Sequence, residues 1–229
     1  MSKHGKKYVE SVAMIDKTKN YTVSEAVDLM KKTSNVKFDA TVELAIKTNA
    51  NPKYNDQMIR STIILPHGTG KTKRVAVFVT DERLDEAKKS GADVVGSSDL
   101  MTEIKSGNMD FDILLTTPDS IRELAPIAKI LGPKGLMPSP KAGTVVADLK
   151  QSVEEFKKGK IEYKLDKTGN IHLPVGKVSF DEKKLVENIE LFLSAINENK
   201  PSGIKGKLIR KAVVSSSMGP GIVLDYTSK

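Results

Sequence analysis

Residues 69–158 interrupt the chain. They alternate short β-branched apolar runs with charged helical stretches, whereas neither flank alone has enough elements to cover a sheet. Within the interruption, residues 74–79 (RVAVFV) read as a strand covered on both faces. DERLDEAKKSG then reads as a helix ending at Gly91, followed by a strand in ADVVG, a helix over DLMTEIKSG and the strand FDILLTT. Thr117 precedes Pro118 at another helix start, and Ile121, Leu124, Ala125 and Ala128 share one stripe before Gly132, which reads as the stop. The segment is expected to be a small, doubly wound, Rossmann-like α/β domain.

The flanks carry a different pattern. Thr22 and Glu25 form a capping box ahead of a helix over residues 21–32 with Val23, Ala26, Val27 and Met30 on one stripe. In TVELAIK, the alternation puts Val42, Leu44 and Ile46 inward and Thr41, Glu43 and Lys47 outward. RSTIILP is a further strand, and two more flank an Asp-Lys-Thr-Gly turn at residues 166–169, read as a hairpin. A long helix from Asp181 carries Leu185, Ile189, Phe192 and Ile196 at helical spacing, and strand-like KLIRKAVVSSS and GIVLDY follow. The flanks, 1–68 and 159–229, are therefore expected to join into one discontinuous α+β domain around an inserted α/β domain, with two chain crossings as a hinge.

Charge follows the same division. The 229 residues include 37 Lys and Arg against 29 Asp and Glu, a net charge of +8. Residues 69–158 hold 14 of each sign while the flanks hold 23 basic and 15 acidic residues, so the whole excess lies outside the insertion. That favours polyanionic partners, nucleic acid first. The absence of cysteine excludes disulfides, thiolate metal sites and thiol catalysis. No apolar stretch follows the basic start, and the longest apolar runs, such as residues 75–79, are too short to span a bilayer. A cytoplasmic protein with no membrane partner is expected.

Several motifs bear on chemistry. PHGTGKTK, residues 66–73, ends like a phosphate loop, but the required first glycine falls on Leu65 and a strand pattern follows where a helix is needed. A flexible interdomain crossing explains it better; a nucleotide-binding enzyme using the central domain stands as the alternative. LGPKGLMPSPKAG, residues 131–143, is too interrupted by proline for a dinucleotide fingerprint and reads as a surface loop of fixed shape, either structural or touching RNA or transfer RNA. SSSMGPG, residues 215–221, is either a polar bend or a place where small residues let hydroxyls reach phosphate and 2′-OH groups. DKTGNIH, residues 166–172, is either a plain hairpin tip or part of a contact surface. Phe38 beside Lys37 is a stacking platform or, by parity with Val42, partly core.

With 5 Tyr, 6 Phe and no Trp, the chain suits folded RNA better than generic single strands. His4, His67 and His172 have no metal-ligand spacing, and no G-x-S-x-G elbow occurs. No enzyme activity, cofactor or metal is expected.

Together, KFDATVEL, LPHGTGK, LGPKGLMPSPKAGTV, DKTGNIHLPVGK and SSSMGPG, in this order over essentially the whole chain, closely resemble the family of bacterial large-ribosomal-subunit protein one. That family sits in the mobile stalk beside the transfer-RNA exit site. The resemblance implies a two-domain protein, monomeric when free, whose discontinuous domain binds large-subunit ribosomal RNA as part of the large ribosomal subunit. It also implies assistance in releasing deacylated transfer RNA from the exit site, and translational repression through its own operon messenger RNA. Carried onto this sequence, the RNA contacts are Lys37, Phe38, Thr41 and Glu43, then Asp166, Lys167, Thr168 and His172, then Ser215, Ser216, Ser217, Met218 and Gly219. Glu43 is the unusual member, since a carboxylate among phosphates needs a ribose hydroxyl, a base amino group or a lysine to bond; it reads as a specificity element.

Overall fold

The computed structural model describes residues 5–226. Along the chain run α1 (Lys6–Ala13), α2 (Val23–Thr33), β1 (Thr41–Thr48), β2 (Arg60–Ile64), β3 (Val75–Phe78), α3 (Leu84–Lys89), β4 (Val94–Gly96), α4 (Ser98–Ser106), β5 (Ile113–Thr116) and α5 (Ala128–Lys134). There follow α6 (Leu149–Lys158), β6 (Lys160–Lys164), β7 (Asn170–Lys177), α7 (Glu182–Glu198), β8 (Ile209–Ser216) and β9 (Ile222–Leu224). The chain divides into two compact units, Met1–Gly70 with Tyr163–Lys229, and Lys71–Glu162.

The unit made from both ends is built on an antiparallel sheet ordered β7-β1-β8-β9. Its central strand β1 alternates as its sequence requires: Val42, Leu44 and Ile46 are fully buried while Glu43 and Lys47 are exposed. Helices α2 and α7 pack on each other and cover the inner face, α2 through Ala26, Val27 and Met30, α7 through Leu185, Ile189, Phe192 and Ile196. Each of these side chains larger than alanine contributes about 1.5–3 kcal/mol by leaving water. The capping box forms, with Thr22 Oγ1 accepting the Glu25 N–H and Glu25 Oε2 accepting the Thr22 N–H at 3.1 Å. The outer face is open, and Pro174 is tolerated there because β7 is an edge strand.

One expectation in this unit is corrected. The strands around Asp166 are not a hairpin: β6 pairs with β2, β7 pairs with β1, and a single bridge, Leu165 to Ile171, joins their near ends. A turn signal between two strands fixes a reversal of the chain, not the partner that each strand takes. Residues 66–70, which lead to the crossing, are tied to this unit by side-chain bonds. The fully buried Asn188 of α7 donates to the carbonyls of Gly68 (3.2 Å) and Val175 (2.8 Å) and accepts the His67 N–H at 3.4 Å. Gly70 has φ +73°, and a Cβ there would stand 2.8 Å from Lys177 Cγ and 3.0 Å from the Phe180 ring, so glycine is required twice over.

The unit spanning Lys71–Glu162 is a three-stranded parallel sheet ordered β4-β3-β5 with a separate core on each face. Ala76, Phe78 and Leu114 pack with Leu100, Ile104, Leu124, Ile127 and Leu131. On the other side Val75, Val77 and Leu115 meet Ala87, Leu149, Val153 and Phe156. The helix expected from Thr117 to Gly132 is corrected to two 3₁₀ turns followed by α5, and its buried stripe is Leu124, Ile127 and Leu131, with Ala125 exposed. Gly132 lies inside α5. The stop is Gly135 at φ +73°, where its N–H bonds the Gly132 carbonyl and the Leu136 N–H bonds the Leu131 carbonyl, both at 3.0 Å.

Candidate nucleic-acid interface

Strand register gathers three distant segments on the open sheet face. Across the ladders Glu43 lies between Pro174 and Ser215, Ala45 between His172 and Val213, and Lys47 between Asn170 and Lys211. Three rows of outward residues result, polar at one end, mostly apolar in the middle and cationic at the other. Thr41 opens β1 at the polar end, and Lys37 and the 58 % exposed Phe38 lie on its approach. Phe38 is therefore not core; parity with Val42 does not apply because β1 begins only at Thr41. Sequence reasoning missed Lys177, whose Nζ donates to Thr41 Oγ1 (3.0 Å) and to the Asp39 carbonyl (3.2 Å).

Beyond β8 the chain turns at Ser217 and Met218, closed by the Gly219 N–H on the Ser216 carbonyl at 2.8 Å. Met218 has φ +64°, the one non-glycine residue with positive φ among the described residues, and is 81 % exposed. The positive φ costs stability and the exposed side chain gains none by burial, and such backbone strain clusters at ligand sites. Ser215 faces outward beside Glu43. Ser216 does not: strand alternation turns it inward, it is 4 % exposed, and its hydroxyl has no hydrogen-bond partner. Three adjacent hydroxyls on a strand cannot share one face, so Ser216 is removed from the contact surface.

The turn after β6 is organised by Asp166. Its Oδ1 accepts the N–H groups of Thr168 (2.8 Å) and Asn170 (2.7 Å), and Oδ2 accepts from Thr168 Oγ1 (2.8 Å) and Asn170 Nδ2 (3.3 Å). Partial burial raises the carboxyl's pKa, but these four bonds outweigh it and hold the group at about 2. Lys47 Nζ bonds the Thr168 carbonyl at 2.9 Å and Thr48 Oγ1 bonds that of Gly169 at 2.9 Å, docking the turn on the end of β1. Asp166 and Thr168 thus spend most of their polar capacity on the turn, which presents the exposed Lys167 and places His172 Nε2 3.8 Å from Asp166 Oδ2.

Other chemistry finds less support. His67 Nε2 lies 2.5 Å from Glu187 Oε2, His172 stands apart on the sheet, and His4 lies outside the described residues. Among the described residues there is no group of metal-ligating side chains, and no helix is long and apolar enough to cross a membrane. Residues 66–73 lead into strand β3, not a helix, so no phosphate loop forms. In the central unit, Lys73, Asp112, Leu136, Met137, Phe156 and Ile161 line a cavity of about 200 Å³, smaller than the usual range for a small-molecule site. Burial lowers the Lys73 pKa there, against the opposing pull of Asp112. The loop of residues 131–143 has a fixed shape, with Pro138 and Ala142 buried and Thr144 Oγ1 accepting the Ser139 N–H at 2.8 Å.

An open, mixed-polarity sheet face on a unit with 22 basic and 14 acidic residues can take an extended polyanion better than a small concave-bound substrate. The chain belongs to the Ribosomal protein L1p/L10e family, whose sequence profile matches residues 30–220. It is similar to the large ribosomal subunit protein uL1 of Thermosipho africanus, 54 % identical over 226 residues that cover 98 % of this chain and 97 % of the relative. The protein of the same name from Thermosipho melanesiensis is 54 % identical over 223 residues, covering 97 % and 96 %. That of Kosmotoga olearia is 50 % identical over 226 residues, covering 99 % and 98 %. These relatives are named as ribosomal proteins, not as enzymes.

Proposed function

We propose that this chain is a noncatalytic component of the large ribosomal subunit that binds large-subunit ribosomal RNA through the open face of the four-stranded sheet. The observation that carries the reading is convergence: residues 37–43, 166–172 and 215–219, remote in sequence, meet on the face and ends of one sheet, in the unit that holds the entire charge excess. The contact set is Lys37, Phe38, Thr41, Glu43, Lys167, His172, Ser215, Ser217, Met218 and Gly219, with Asp166 and Thr168 shaping the turn. Ser217, Met218 and Glu43 fit close reading of RNA shape and 2′-OH groups, and the lysines fit phosphate.

The same face serves the finer roles of the family resemblance: release of deacylated transfer RNA from the exit site, and repression through a matching structure in the operon messenger RNA. The unit made from both chain ends is the RNA-binding domain, and the free protein is a monomer. Filter binding of the stalk fragment of large-subunit ribosomal RNA, with and without residues 71–162, tests the reading. Retention of most affinity after the deletion supports it, and loss of binding in a deletion protein that still folds overturns it. A nucleotide-binding enzyme, the competing reading, gives no reason for RNA affinity in the flanks.

A further inference from the structure

The far end of the sheet face carries cations that the contact set above leaves unused. The β1–β8 register shifts after Lys47: Lys47 lies opposite Lys211 and Thr48 opposite Ile209, leaving Arg210 as the extra residue of a β-bulge. Arg210 and Lys211 are consequently both exposed, between buried Ile209 and Ala212. Two lysines directly opposite on a ladder repel each other, and Arg210 adds a third positive charge beside them. Arg210 and Lys211 also line, with Lys17, a groove of about 330 Å³ whose wall includes Asn20, Tyr226 and one carboxylate, Asp225. Among the described residues, Lys17, Arg210 and Lys211 have no ion-pair partner. Lys47 spends one N–H on the Thr168 carbonyl and keeps two. The fold therefore gathers four like charges with one carboxylate, Asp225, in the groove wall, and an external anion would relieve the remaining excess.

We propose that Lys17, Lys47, Arg210 and Lys211 form a second anchoring site, for the phosphodiester backbone of the bound RNA, about 20 Å along β1 from the Met218 turn by strand rise. The proposal rests on the reading of this sheet face as an RNA interface and adds residues to it. A guanidinium holds phosphate oxygens in pairs and the ammonium groups act as point charges, so the site supplies affinity and salt dependence. Base and shape selection stays at the Met218 end.

The test uses the full chain carrying Arg210→Gln and Lys211→Gln together, with Lys129→Gln and Lys150→Gln in the central unit as the charge-matched control. Each protein is titrated with the stalk fragment and with an unrelated folded RNA of equal length over a range of salt. At low salt the Arg210/Lys211 variant should bind both RNAs about tenfold more weakly, and its slope of log K against log salt should be shallower by about 1.4–1.8, while the control holds both values. Its thermal midpoint should stay level or rise, because repulsion has been removed. Unchanged affinity and slope in a variant whose wild-type parent binds would overturn the proposal, as would a loss confined to the stalk fragment or one accompanied by a lowered midpoint. Failure of the wild-type chain to bind the fragment would instead overturn the reading of the face itself.

Discussion

Ser217 and Thr41 hold each other by three hydrogen bonds: the Ser217 N–H and the Ser217 hydroxyl donate to the Thr41 carbonyl at 3.0 Å and 3.4 Å, and the Thr41 N–H donates to Ser217 Oγ at 3.2 Å. The hydroxyl thereby extends the β1–β8 ladder past its last paired strand residue and ties the Met218 turn to the strand that carries Glu43. Ser217→Ala should cost about 1 kcal/mol of folding stability and weaken RNA binding by about 1–3 kcal/mol. Ser217→Thr, which keeps the oxygen, should restore both. Urea unfolding and filter binding of the stalk fragment measure the two effects separately; unchanged binding by Ser217→Ala would remove the residue from the interface.

Met218 separates backbone cost from side-chain use. At φ +64° a glycine is at ease and any L side chain is not, so Met218→Gly should raise stability by about 1 kcal/mol while weakening RNA binding. Met218→Ala keeps the strain and removes only a solvent-exposed thioether, so its stability should stay within about 0.5 kcal/mol of wild type and its binding should fall by about 1–3 kcal/mol. Equal RNA affinity in all three proteins would show that the exposed methionine has no RNA contact.

Much of this architecture was legible in the residues, and the exceptions have physical causes. The parity of TVELAIK marked which side chains of β1 enter the core because a strand has only two faces. The heptad-like spacing from Leu185 to Ile196 marked α7 in the same way. Partnerships between strands were not legible: β6 and β7 flank a good turn yet join different sheets, since the turn residues say nothing of which ladder is available. The stop of α5 was misplaced because both Gly132 and Gly135 are glycines, and only the backbone bonds around Leu136 distinguish them. In the candidate interface, the motifs marked segments that the sheet brings together but not which of their side chains face out. Alternation removes Ser216, and a bulge that no local motif announces exposes Arg210.

Asp166 gives the turn an acid-sensitive component. Its pKa is about 2 in the folded chain against the usual 3.8, so the folded state favours the ionised form. The stability that this supplies is complete above about pH 4 and is lost as the pH falls toward 2. Asp166→Asn should therefore lower the urea midpoint at pH 6, with the difference from wild type shrinking between pH 4 and pH 2. A difference that stayed constant over that range would mean that ionisation of the carboxylate contributes nothing to the turn.

Asn188 anchors the segment that leaves the terminal unit. It is fully buried, and its carboxamide serves the His67 N–H and the carbonyls of Gly68 and Val175 together. Only an amide can do this, because two of those partners need a donor and one an acceptor. Asn188→Ala strands all three backbone groups and should cost about 3 kcal/mol. Asn188→Asp keeps the shape but supplies no donor and buries a charge, so it should cost at least as much at pH 7. Freed from Asn188, residues 66–70 should also sample open conformations, and trypsin should cut after the exposed Lys71 faster in Asn188→Ala than in wild type under native conditions. Equal cleavage rates alongside a lowered urea midpoint would show that Asn188 stabilises the core of the unit without restraining the crossing.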